Sequence, residues 1–441
     1  MAAVEPLLAP INRVYGHVVP PVRWLMLLVI GMPLIWFAGG AAFVWQLAAV
    51  PLLVSLIHRG NLRVPRGFGL WLVFLGWIAL ALAMSGGLHP AAAALHIGPF
   101  FAATILFLYV YNASQARLPD RAVIDALALL WVLLVVGGFI AVILPTLSFP
   151  SVLERVAPAS VTQNEFLRDL LHVRFAQVHS FLGYEVGRPS IFFPYTNGWG
   201  AMVGILTPVV VASIAGATSR FRRRGLTLLL PLSAIPITVS LNRGLWLALV
   251  VALAYVALRF ALAGKLRALF AVAAVGALVA ALLTLTAFGG LISDRLETKS
   301  QSTETRARLY DETVEAIRAS PLVGYGGPQR SASNPRGAPL GTHSEALFLA
   351  LAFGVPGLVL CGAWFLMIAA RTGRVISGPR FWLHVALLVF LVETPYYLLQ
   401  AHLPVVMIVA ALLLRPAAKP TRGRTVRVDR PVRGRVSPAT R

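Results

Sequence analysis

The chain has 441 residues, 58% of them hydrophobic and 12% charged, with a mean hydropathy of +0.79 and a formal net charge of +22. A soluble domain is about half apolar and about a quarter charged, so this composition excludes an ordinary soluble enzyme. Near-continuous apolar stretches long enough to cross a hydrocarbon core of roughly 30 Å recur along it. In lipid such stretches must be helical, because every backbone polar group has to be satisfied internally. No alternating-strand pattern points to a barrel.

In chain order the apolar runs predict helices over 22–38, 41–57, 69–86, 94–111 and 122–145, then 195–217, 226–241, 244–260 and 266–288, then 345–370, 380–396 and 400–415. The expected fold is all-α and polytopic, with twelve transmembrane helices. Residues 1–21 lead into a first helical block, 22–145. A second block, 195–288, and a third, 345–415, follow two long polar segments, 146–194 and 289–344, and residues 416–441 form a basic tail. The first span is long and no small-residue cleavage site follows it, so no cleavable signal is expected. Cys361 falls inside a predicted helix and reads as a packing residue, so no disulfide framework is expected.

Loop charge sets the orientation. Arg59, Arg63 and Arg66, then Arg117 and Arg121, then Arg220, Arg222, Arg223 and Arg224 fall in alternate loops. Arg259, Lys265 and Arg267, then Arg371, Arg374 and Arg380, continue the series. This side is read as cytoplasmic, with both termini on it. From Arg415 onward the tail adds nine basic residues and one acid, and its composition reads as disordered chain able to rest on anionic lipid. Most of the +22 charge is therefore topology, and a nucleic-acid partner is not expected. Ten of the sixteen acids lie in the two long segments, which this topology places outside the cytoplasm as folded polar structure.

The first outer segment carries Asn164–His172, patterned like a helix lying in the interface, and then Arg188-Pro-Ser-Ile-Phe-Phe-Pro-Tyr195-Thr-Asn197, read as a structured re-entry at the membrane surface. The second predicts a helix over 304–319, capped by Ser302 or Thr303 and ended near Pro321. Arg306, Tyr310, Val314 and Ile317 share one face of it, whereas Arg308 sits between Glu304 and Glu312 as a paired surface residue. Gly324-Tyr-Gly326 then gives a turn whose backbone could approach a ligand closely. Thr342 and Glu345 fit a capping box before the next apolar run, which places His343 on the first turn of a membrane helix. There the positive end of the helix dipole disfavours imidazolium, and a neutral imidazole can accept a proton.

Arg243, in the turn between two apolar runs, lies on the outer side, where positive-inside logic does not explain it; the same holds for Arg188 and Arg306. Ion pairs with outer acids such as Glu185 or Asp294 are one reading. Three such arginines with His343 favour a phosphate site, because the guanidinium fork donates parallel hydrogen bonds to phosphate.

At these residues the sequence resembles the O-antigen ligase and polymerase superfamily. The ligase pattern of His, then Asn, Ser or Gln, nine residues, Gly, two residues, then Gly, Thr or Tyr is met by His343-Ser344 followed by Gly354-Val-Pro-Gly357. A second pattern, Arg, three residues, Leu, is met by Arg243-Gly-Leu-Trp-Leu247. The stretches Arg306–Gly326 and Arg188–Asn197 resemble the segments that precede the histidine and the upstream arginine segment, so the resemblance covers roughly 185–370. Ser344 departs from the more familiar Asn.

The resemblance implies a GT-C type glycosyltransferase in the bacterial inner membrane. It implies a glycan donor on undecaprenyl diphosphate and an acceptor hydroxyl such as that of lipid A–core. Arg188, Arg243 and Arg306 become candidates to hold the diphosphate, and His343 and Arg243 the candidate catalytic residues. Tyr310, Tyr195 and Ser344 take accessory roles. No Asp-rich motif of the kind that carries a nucleotide-sugar metal is present, so no metal or other cofactor is expected. A polymerase of lipid-linked repeat units and a transporter of lipid-linked sugars are the competing readings. The transporter would need mid-membrane charges and internal repeats; few mid-span charges are present, Glu393, placed near an outer helix end, is the main exception, and no repeat is evident.

Overall fold

A computed structural model describes residues 21–86, 95–179, 185–284, 290, 301–332 and 339–416. The leading segment and the basic tail expected at the two ends, and Asp294, lie outside the described residues. The chain is a polytopic, mostly helical membrane protein. Helices lie over each of the twelve apolar stretches. Five of those described are long and apolar enough to cross a membrane: Ala41–Arg59, Asp120–Ile143, Thr196–Gly216, Arg243–Leu262 and Glu345–Thr372.

In chain order the helices of the first block are α1 (Pro21–Ile30), α2 (Met32–Ala38), α3 (Val44–Arg59, entered through a 3₁₀ turn at Ala41–Phe43), α4 (Phe68–Met84), α5 (Gly98–Asn112) and α6 (Asp120–Ile143). The first polar segment holds β1 (Ser148–Phe149), α7 (Val152–Val156), α8 (Ala159–Thr162), α9 (Glu165–Leu171), β2 (Val173–Arg174), β3 (Ala176–His179) and β4 (Val186–Pro189). Then come α10 (Thr196–Gly216), α11 (Arg220–Leu232), α12 (Ala234–Val239), α13 (Arg243–Leu262) and α14 (Leu266–Thr284). The last are α15 (Gln301–Ala319), α16 (Glu345–Thr372), α17 (Gly378–Glu393) and α18 (Leu403–Leu414).

Helix α10 packs between α6 and α17, α18 lies against α5, and α16 against α4. Almost every residue of α18 is buried, the mark of a helix that is apolar all round and sits at the centre of a bundle. Indole donors are matched to hydroxyls where helices meet, as from Trp71 to Thr104 at 2.8 Å and from Trp131 to Thr207 at 3.1 Å. An unmatched donor in an apolar interior would cost about 1–3 kcal/mol.

Three details differ from the sequence reading. The 226–241 stretch is two helices broken at Ser233, and it starts early: Arg220–Arg224 form the first turns of α11, where Arg222 pairs with Asp125 of α6. Ser302 and Thr303 lie inside α15, so neither caps it. The polar segment 146–194 also contains two small antiparallel pairs, β1–β2 and β3–β4, the second aligning Gln177 with Arg188. Its helix α9 is capped by Asn164, whose side chain accepts from the Leu167 N–H at 3.1 Å. Trp36 of α2 holds this segment to the bundle, with ring contacts to Phe175 and Phe192.

Candidate active site

The turn before α13 is built on a strained residue. Leu241 has φ +50° and is fully buried, a left-handed conformation that a leucine holds only when its surroundings fix it. The turn delivers Asn242 to the cap of α13 and Arg243 to its first position. Arg188 arrives from β4, 8% exposed, and its Nε donates to the Ser240 carbonyl at 2.5 Å. Arg188 is therefore bonded to the turn that carries Arg243.

The start of α16 differs from the expected capping box. Ser344 is the cap: its hydroxyl accepts from the Leu347 N–H at 3.2 Å. Thr342 lies in the preceding turn and donates to the Pro339 carbonyl at 2.7 Å. His343 is thus one residue outside the helix. Glu345 also leaves the expected role, because its carboxylate reaches across to accept the Leu399 N–H at 2.8 Å. The Glu345 and Ala346 amides donate to the Tyr397 and Thr394 carbonyls at 2.8 and 3.3 Å. The amides of this first turn already have partners, so α16 offers no open anion nest, and any anion there must be held by side chains.

Tyr397 joins the two helix starts. Its hydroxyl donates to the Asn242 side-chain oxygen and accepts from the Leu245 N–H at 3.0 Å, while its carbonyl holds Glu345. The turns that carry Arg243 and His343 consequently stand at one end of the bundle, joined through Tyr397. The basic loops belong to the other end: Arg259 is in the last turn of α13, twenty residues and roughly 30 Å long, and Arg371 is in the last turn of α16.

Close packing supports the junction. A Cβ on Gly200 would lie 2.2 Å from the Asn242 amide nitrogen, one on Gly204 2.6 Å from Glu393 Oε1, and one on Gly244 2.3 Å from the Tyr397 hydroxyl. Glu393 is fully buried, and neither of its carboxylate oxygens has a hydrogen-bond partner among the described residues.

Helix α15 covers His343. The Tyr310 hydroxyl donates to the His343 carbonyl at 3.4 Å, and Thr313 Oγ1 accepts the Gly341 N–H at 3.3 Å. The buried face of α15 is centred on Leu309 and Thr313, one residue earlier than the Arg306–Tyr310–Val314 face the spacing predicts. Arg306 lies one turn before Tyr310 on this helix; its side chain lies outside the described residues. Glu312 does not serve only the helix surface: it accepts from the Ser331 hydroxyl at 2.8 Å and the Ala332 N–H at 3.1 Å.

The Gly324–Gly326 turn approaches protein, not ligand. Helix α16 breaks at Gly354, which has φ +70° and ψ 173°. The break frees the carbonyls of Leu351, Ala352 and Phe353. Tyr325 N–H, Gly326 N–H and Trp77 Nε1 take them at 2.9, 2.7 and 2.8 Å, and the Val355 N–H donates to the Pro321 carbonyl at 2.8 Å. Pro356 has no N–H to return to Ala352, which is why the sequence tolerates an opening here. A Cβ on Gly354 would sit 2.0 Å from the Leu322 carbonyl oxygen. The glycine of the histidine pattern thus serves the docking that sets α15 over His343.

Tyr195 stands apart. It precedes α10, and its hydroxyl bonds to Asp169, which also pairs with Arg174. Burial first, and Asp169 second, push the phenol up to about 12. It lines a separate polar cavity of about 420 Å³. Of the predicted residues, then, the structure gathers Arg188, Arg243, Tyr310, His343 and Ser344 at one end and sets Tyr195 beside them in its own cavity. Sequence reasoning missed Asn242, Tyr397 and the glycines of α10.

Compared with known families, residues 228–362 match the model described as O-antigen ligase. Arg243, Arg306, Tyr310, His343, Gly354 and Gly357 lie inside the matched stretch; Arg188, Tyr195, Glu393 and Tyr397 lie outside it. No curated protein matches the chain.

Proposed function

Because the chain carries an O-antigen ligase domain over 228–362, which supports a ligase- or polymerase-type activity, we propose that it is a membrane glycosyltransferase that moves a glycan from undecaprenyl diphosphate to an acceptor sugar hydroxyl, such as one on lipid A–core. The observation that carries this reading is the Tyr397 junction, which sets the Arg243 turn beside the His343 turn. The site faces the extracytoplasmic side of the bacterial inner membrane and both termini are cytoplasmic, a placement supported by the arginine-rich loops at the opposite helix ends.

In the proposed reaction the acceptor hydroxyl attacks the anomeric carbon. A new glycosidic C–O bond forms as the bond to the diphosphate oxygen breaks, and the centre inverts. His343 takes the hydroxyl proton. The electron pair leaves on undecaprenyl diphosphate, whose growing charge Arg188, Arg243 and Arg306 stabilise. The arginines do the work of neutralisation that a metal does elsewhere. Tyr310 holds the His343 turn through its backbone, and Ser344 fixes the helix start behind it. The hydrophobic helices accept the polyprenyl chain, in the manner of a GT-C fold.

Reconstitution of the full chain with a defined polyprenyl-diphosphate glycan and candidate acceptors tests the reading. Product on lipid A–core supports the ligase. A longer glycan still on polyprenyl diphosphate means a polymerase, and glycan movement without a new bond means a transporter.

A further inference from the structure

The cavity beside Tyr195 has no part in the chemistry above. It lies between the β3–β4 hairpin, α9 and the start of α10, and its polar lining includes Glu165, Asp169, Arg174, Gln177, His179 and Tyr195. Pro145 and Val178 add apolar surface. It opens to solvent, and its volume of about 420 Å³ falls in the range of small-molecule sites.

Arg174 pairs with Asp169, and His172 Nδ1 lies 2.9 Å from Glu154 Oε2. Glu165 faces the cavity with no ion pair among the described residues, so the wall disfavours an anion such as a phosphate. Donors and acceptors still stand side by side: the Glu165 carboxylate accepts, the Arg174 guanidinium has N–H groups beyond the one given to Asp169, and the Tyr195 hydroxyl, bonded to Asp169, can still accept. That mixture suits a group that both donates and accepts at each point, which is the property of a hydroxyl. A polyhydroxylated ring presents several hydroxyls on a compact apolar frame.

The position narrows the assignment. Gln177 aligns with Arg188 across β3–β4, so the cavity wall and the candidate diphosphate clamp are the two halves of one cross-strand pair. Gln177 also accepts the Thr196 N–H at 3.2 Å, which fixes the wall to α10. We infer that this cavity is a saccharide subsite, holding the sugar rings nearest the reacting bond. The inference deepens the glycan-transfer reading and rests on it for the identity of the clamp.

The test uses the full chain in nanodiscs and two variants. Val178→Trp fills the cavity from a position that is 42% exposed and so tolerates bulk. The double variant Glu165→Gln/Tyr195→Phe replaces one carboxylate acceptor by an amide donor and removes the phenol hydroxyl with little change of shape. The probe is the free oligosaccharide released by mild acid from the producing cell's polyprenyl-diphosphate pool, carrying neither lipid nor diphosphate. Both variants should weaken its binding about tenfold or more, the first by occupying the cavity and the second by altering two hydrogen-bonding groups, and leave the binding of unglycosylated undecaprenyl diphosphate unchanged. Binding is read without turnover, so a chain that fails to transfer glycan can still show cavity-dependent oligosaccharide binding. In the transfer assay, a raised KM for the donor alone places donor sugar in the cavity, and a raised KM for the acceptor alone places acceptor sugar there. Oligosaccharide bound equally by the parent and both variants, or by none of them, overturns the assignment.

Discussion

The Tyr397 hydroxyl donates to the Asn242 side-chain oxygen, and through this bond the loop after α17 holds the cap of α13 while its backbone holds the start of α16. The relationship makes Tyr397 a positioning residue for Arg243 and His343. Tyr397→Phe keeps the ring and removes both bonds of the hydroxyl, to Asn242 and from the Leu245 N–H. Their loss in a buried site should lower stability by about 1–3 kcal/mol. Transfer should fall further than stability alone explains, by about 10-fold or more, because small misplacements in a reacting pair are costly. Parallel thermal melts and transfer assays check this; unchanged transfer would remove Tyr397 from the site.

Gly354→Ala should be strongly destabilising, by about 2 kcal/mol or more. Its φ is +70° and an added Cβ would strike the Leu322 carbonyl. Gly362→Ala, eight residues further along α16 where nothing lies within 4 Å, is the control and should be nearly neutral. Equal melting temperatures for the two variants would contradict the docking account of the helix break.

If the arginines alone neutralise the leaving diphosphate, transfer should persist in excess EDTA. Activity abolished by the chelator and restored by Mg²⁺ would contradict that part of the mechanism.

Much of the site could be read from the sequence because its charged members sit where charge is unexpected. Arg188 and Arg243 interrupt apolar surroundings away from the basic loops, and His343 opens a hydrophobic run. Tyr397 and the glycines 200, 204 and 244 could not be read this way. A tyrosine or a glycine in an apolar segment is ordinary, and their importance arises only from contacts across long separations, such as Gly204 against Glu393. The cap of α16 was misplaced for a local reason. Thr342 and Glu345 satisfy the capping pattern, but Glu345 has a stronger use at the Leu399 amide, and Ser344 caps instead. The β3–β4 hairpin escaped notice because its strands are four residues each and carry little alternation. The Gly354 requirement was visible as a pattern, whereas its cause, a second segment docked into the broken helix, needed the fold.

The central claim is that Arg243 and His343 act on one substrate, the first holding the diphosphate and the second taking the acceptor proton. Its most direct test is a paired measurement on His343→Ala and Arg243→Lys, reading donor binding and glycan transfer in the same reconstituted preparation. The account predicts that His343→Ala still binds the polyprenyl-diphosphate glycan but transfers it about 10²-fold more slowly. It predicts that Arg243→Lys, which keeps the charge and loses the fork, weakens donor binding itself. Near-normal transfer by a well-folded His343→Ala protein, or unaltered donor binding and transfer by Arg243→Lys, would contradict it.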